Sequence, residues 1–85
     1  VVPPTVVIES ISLGHERHDE VTKRLDYARF GVPNYWIVNA YRRSLLCLRL
    51  ESGEYIEDAS GENEQVVKPT VFPGLDLPLA TLFTR

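Results

Sequence analysis

The sequence predicts an α/β layer fold built on a mixed sheet, and three features carry that prediction. Residues 5–12 (TVVIESIS) form a β-branched run. One helical pattern follows it, and after that come short strand-like segments separated by tight turns. A strand, a helix and a meander in that order call for a sheet with a flanking helix.

Each element has its own reason. In residues 5–12, Val6, Val7 and Ile8 are consecutive, so both faces of the strand are expected to be covered, as in a central strand under a helix layer. Gly14 breaks the pattern, and a helix is expected over 15–30. Val21, Leu25 and Ala28 fall at i, i+4 and i+7 and predict its core-facing stripe. Gly31 suits the helix C-cap and Pro33 prevents continuation. Residues 34–39 (NYWIVN) and 45–50 (LLCLRL) are the next strands, expected to be antiparallel because only a short turn joins them. A turn around Gly53 leads to a strand at 55–59. Residues 60–64 are expected as a polar turn, 65–67 as a short fifth strand, and 79–84 as a terminal helical turn.

Bulk composition bounds the function classes. With 85 residues the chain is at most one small domain, or a fragment of one, and such a chain buries a modest fraction of its surface. It contains no methionine and starts at Val1, which fits a trimmed or processed chain. A single cysteine, Cys47, allows no internal disulfide and reads as a small buried apolar residue, in keeping with a reducing, cytoplasmic setting. The net charge of −3 gives no whole-chain basic footprint for nucleic acid. No apolar run approaches the roughly 20 residues of a membrane span, so no membrane partner is expected.

Glu9 stands between Val7 and Ile11 on one face of an otherwise apolar strand. A carboxylate there needs a cation, a metal, a donor or water. Asp19, Lys23 and Tyr27 are spaced i, i+4, i+8 and share a helix face, offset from the apolar stripe but flanking it. On spacing alone, Lys23 reads first as a surface partner of Asp19. His15 and His18, three apart, lack a matching Cys or second His cluster and read as a solvated first turn rather than a zinc site. Arg42 and Arg43 in the turn after the second strand are candidates for phosphate contact, against the plainer reading of a polar hairpin turn.

Four separated motifs, in order, resemble the Uma-two-like family: residues 4–12 (PTVVIESIS), Asp19 with Lys23 and Tyr27, residues 31–39 (GVPNYWIVN) and residues 72–75 (FPGL). These are bacterial predicted endonucleases of the PD-(D/E)xK restriction-endonuclease-like superfamily, and the resemblance spans essentially the whole chain. It implies a restriction-endonuclease-like mixed sheet with a flanking helix, of which this chain is the C-terminal part. It also implies cleavage of DNA phosphodiesters with Mg²⁺ or Mn²⁺. Glu9 then matches the metal ligand. The superfamily lysine normally follows that glutamate by two residues, a place held here by Ile11, and Lys23 matches a lysine moved to the next helix. Tyr27, Tyr35 and Trp36 match positions that read as packing residues.

Two positions depart from the family pattern: Thr5 and Asn39 stand where aspartate is usual. The resemblance also places a further metal-binding aspartate upstream of Val1. The rival expectation is a catalytically dead scaffold or dimerising module with the same fold. Without an upstream half, the edge of the first strand would be open to pairing, and a homodimer is the expected outcome.

Overall fold

The computed structural model describes residues 5–11 and 18–83, with the backbone alone for 18–20. The elements are β1 (Val6–Ile11), α1 (His18–Phe30), β2 (Asn34–Asn39), β3 (Ser44–Glu51), β4 (Glu54–Glu62), β5 (Val66–Val67), β6 (Leu77–Pro78) and α2 (Leu79–Leu82). Strands β1 to β4 form one sheet in the order β1-β2-β3-β4, and β5 and β6 form a two-stranded ladder. β1 runs parallel to β2, with Glu9 opposite Ile37, and the pairs β2/β3 and β3/β4 are antiparallel. The expected mixed α/β architecture is present, and so is the antiparallel pairing of the second and third strands.

Alternation along the strands divides the core into two layers. On one face Tyr35, Ile37 and Leu48 are buried, joined by Val7, Ile11, Leu46, Tyr55 and, from α1, Tyr27. On the other face Trp36, Leu45 and Cys47 pack against Val67 and Leu79 of the C-terminal segment. Phe72 adds an edge-to-face contact with Trp36, ring centroids 5.9 Å apart.

α1 ends as the sequence predicts. Gly31 takes φ +76°, its N–H bonds the Ala28 carbonyl at 3.0 Å, and the Val32 N–H bonds the Tyr27 carbonyl at 3.1 Å. This is a Schellman cap, which glycine adopts without a Cβ penalty. Asn34, buried at the start of β2, donates from Nδ2 to the Thr5 carbonyl and so fixes β2 against the residue that precedes β1.

Two expectations are corrected, the helix stripe and the end of the fourth strand, and a third concerns the place of β1. The stripe of Val21, Leu25 and Ala28 does not face the core as a unit: Val21 and Leu25 are 55% and 56% exposed, and only Ala28 is partly buried. The helix instead presents Lys23, Arg24, Tyr27 and Ala28, all partly buried, so it is rotated to bring its polar face inward. β1, expected as a central strand covered on both faces, stands at the edge of the sheet among the described residues, and Ile8 is 60% exposed there. The fourth strand runs on into the expected polar turn as far as Glu62, paired with β3 out to Ser44, and a bulge interrupts it: Cys47 pairs with Ala59 but Leu48 pairs with Glu57, leaving Asp58 extra. The helix start at 15–17 and the last residue of the terminal turn, Thr84, lie outside the described residues, as does the side chain of Asp19.

Candidate active site

Glu9 is where strand alternation puts it, between Val7 and Ile11 on the sheet face that α1 covers. Because α1 turns its polar side inward, two helix residues one turn apart meet it. Lys23 Nζ donates to Glu9 Oε1 at 3.0 Å, and the Tyr27 hydroxyl donates to Oε2 at 2.5 Å. Each carboxylate oxygen therefore has its own donor, one charged and one neutral. The site remains open: the Glu9 and Lys23 side chains keep 23% and 40% of their surface exposed.

The electrostatics follow from those contacts. The Tyr27 hydrogen bond first, and the Lys23 bond and charge after it, hold the Glu9 carboxyl below the usual carboxylate range, against a smaller opposing effect of burial. The same hydrogen bond pushes the Tyr27 phenol upward, so it stays a protonated donor. An ionised carboxylate of this kind suits a hard divalent cation, which takes oxygen ligands. Among the described residues no group of three or more His, Cys, Asp and Glu side chains comes together. Glu9 therefore fits as one ligand, with the rest of the shell coming from phosphate, water or other groups.

The other sequence candidates lie apart. Arg42 and Arg43 sit on the turn from β2 to β3, at the end of the sheet to which Ile11 and Asn39 lead. Arg43 adopts φ +53°, its carbonyl accepts from the Asn63 N–H, and its guanidinium lies 5.8 Å over the Phe83 ring. Arg42 is exposed and its backbone N–H is capped by Asn39 Oδ1 at 3.0 Å, so the amide of Asn39 serves the turn.

Sequence reasoning gave Tyr27 to packing and missed its hydroxyl. The signal was present, since Tyr27 and Lys23 share a helix face, but only the tertiary contact reveals that the face opposes Glu9. A second carboxylate, Asp58, was missed altogether. Its side chain is 2% exposed and accepts from Arg49 Nη1 (3.1 Å), the Thr70 hydroxyl (2.6 Å) and the Thr70 N–H (3.0 Å). Nothing in the run EYIEDAS marks that aspartate out, because its burial depends on a bulge and on a segment twelve residues away.

The comparisons bear on family and fold. A family model described as "Uma2: Putative restriction endonuclease" matches residues 1–80. A crystal structure titled "a putative nuclease belonging to DUF820" from Anabaena variabilis ATCC 29413 superposes with a TM-score of 0.66 at 22% sequence identity. The match covers 98% of this chain and 45% of that one, so the chain spans less than half the length of this neighbour. At that identity the likeness establishes the restriction-endonuclease-like fold. No curated protein matches the chain. No helix among the described residues is long and apolar enough to cross a membrane.

Proposed function

Because the chain belongs to the Uma2 family of restriction-endonuclease-like proteins, we propose that it supplies the Glu9–Lys23 part of a metal-dependent site that hydrolyses DNA phosphodiesters. The observation that carries this reading is the contact between a strand carboxylate and a helix ammonium fourteen residues apart, in an open position. A divalent cation, Mg²⁺ or Mn²⁺, would supply Lewis acidity toward a phosphate oxygen and a more acidic water. Glu9 contributes the anionic oxygen that such an ion needs. Lys23 contributes a positive charge beside it, suited to orient a phosphate and to stabilise charge that develops on it.

The test is metal-dependent cleavage of DNA by the protein and by Glu9→Ala and Lys23→Ala variants. Glu9→Ala is expected to abolish cleavage, and Lys23→Ala to lower it on the order of 100–1,000-fold, the usual cost of removing one preorganised stabilising group. Cleavage undiminished in both variants refutes the assignment.

A second reading has its own support. Asn39 stands where aspartate is usual in the family, and its amide is committed to a turn, which favours a scaffold that keeps the fold without the reaction. Calorimetry with Mn²⁺ separates the two: binding that depends on Glu9 favours the nuclease, and an intact domain that takes up no metal favours the scaffold.

A further inference from the structure

Glu9 is held by two donors of different character, and the difference has a consequence for metal uptake. Tyr27 is fixed by a closed circuit of contacts. Its ring meets Tyr35 edge-on, centroids 5.1 Å apart, and Tyr35 is 1% exposed. Tyr35 in turn lies 5.7 Å from Tyr55, and the Tyr55 hydroxyl donates to the Val32 carbonyl at 2.7 Å. The Val32 N–H then bonds the carbonyl of Tyr27 itself, which returns the circuit to its start. Lys23 reaches Oε1 from one helical turn earlier, on a flexible four-carbon stem with 40% of its side chain exposed. An ammonium and a divalent cation repel each other on one carboxylate. A neutral phenol does not, and donors to a metal-bound carboxylate fix its orientation.

We propose that Tyr27 is the positioning residue of this site: it keeps Glu9 Oε2 throughout, while Lys23 yields Oε1 to the incoming cation and turns to the phosphate. This rests on the reading that Glu9 is a metal ligand. It assigns opposite consequences to the two hydrogen bonds of Glu9. Losing the phenol loosens the ligand, whereas losing the ammonium removes a competitor.

The experiment measures Mn²⁺ affinity, by water-proton relaxation, for the wild type and for Tyr27→Phe, Lys23→Met and Glu9→Gln. Tyr27→Phe is expected to bind roughly 10–100-fold more weakly, as for other groups that orient a metal ligand. Lys23→Met is expected to bind as tightly as the wild type or tighter. para-Aminophenylalanine at position 27 restores an N–H donor and is expected to recover most of the loss. In the unaltered protein, Mg²⁺ is expected to shift the Lys23 Nζ resonance and leave that of Tyr27 Cζ in place, a readout that needs no variant to fold. Wild-type affinity in Tyr27→Phe overturns the proposal, as does an equal loss in Lys23→Met or a Tyr27 resonance that moves while Lys23 stays. The parent reading fails separately: it falls if Glu9→Gln binds Mn²⁺ as the wild type does or if the wild type binds none, and the proposal falls with it.

Discussion

Glu9 and Asp58 have almost the same partners and opposite settings. Each carboxylate accepts from one cationic side chain and one hydroxyl: Lys23 and Tyr27 for Glu9, Arg49 and Thr70 for Asp58. Both are held below the usual carboxylate range. Yet the Glu9 side chain is 23% exposed, on the edge strand of the sheet, while Asp58 is 2% exposed beneath the segment that carries Thr70. Asp58 also takes the Thr70 backbone N–H. Its acceptor capacity is spent on tying the C-terminal segment to the bulge of β4. Partner chemistry alone therefore does not distinguish a candidate ligand from a structural lock. Access to the remaining lone pairs does.

The sharpest way to break this contrast is to remove Asp58. Asp58→Ala removes the buried, ionised acceptor that holds Arg49 and the exposed Thr70, which costs about 2 kcal/mol. For a chain of this size that lowers Tm by roughly 10 °C or more. Cys47 gives a second readout. It is fully buried in the layer under the C-terminal segment, and burial pushes its thiol up to about 12, so it reacts only when the layer opens. A loss of 2 kcal/mol raises the open fraction on the order of 30-fold, and thiol labelling should accelerate accordingly. Mn²⁺ affinity at Glu9 is expected to stay within about twofold. A stable Asp58→Ala protein with slow labelling would show that the lock does not hold.

The sequence was legible where local rules decide structure. The Schellman cap at Gly31 and the strand at Asn34–Asn39 follow from punctuation and β-propensity, and both appear as expected. Strand alternation placed Glu9 correctly relative to Val7 and Ile11. The helix stripe failed because apolar spacing gives a face but not its partner. Here the polar face around Lys23 and Tyr27 meets Glu9, and Val21 and Leu25 are left outward. The bulge at Asp58 had no local signal, since it arises from the register of two paired strands and the docking of Thr70. Resemblance to a family singled out Glu9 and Lys23, which the structure brings into contact, but it gave no role to the Tyr27 hydroxyl.

A smaller effect probes the same flank farther along β4. A Cβ on Gly61 would stand 2.9 Å from Val67 Cγ2, and Val67 is fully buried. Gly61→Ala is expected to cost about 1–2 kcal/mol through overpacking. Chemical denaturation checks it, and an unchanged midpoint would mean that β5 yields freely.

Acid separates the lock from its isosteric variant. Burial opposes ionisation of Asp58, but the Thr70 hydroxyl, the Thr70 N–H and Arg49 together outweigh it, and the folded value lies below the unfolded one. The stabilisation from ionised Asp58 is therefore complete above the unfolded value, about 4, and is lost as pH falls through the lower folded value. In urea titrations the gap between wild type and Asp58→Asn should be widest at neutral pH and narrow below about pH 4. A gap that widens on acidification contradicts the assigned sign.

The smallest expected effect decides the comparison from the Glu9 side. Glu9→Gln retains an acceptor for the Tyr27 hydroxyl and loses only the ion pair with Lys23. That pair is solvent-screened, with both side chains substantially exposed. Such pairs contribute about 0–1 kcal/mol, and less as salt is added. Unfolding of Glu9→Gln should therefore stay within a few degrees of the wild type, even where its Mn²⁺ binding is gone. A loss above about 2 kcal/mol would make Glu9 a second lock, equivalent to Asp58, and its exposure would no longer argue for a ligand. A neutral or stabilising result would fit a group whose geometry is maintained for chemistry rather than for the fold, as at sites where function trades against stability.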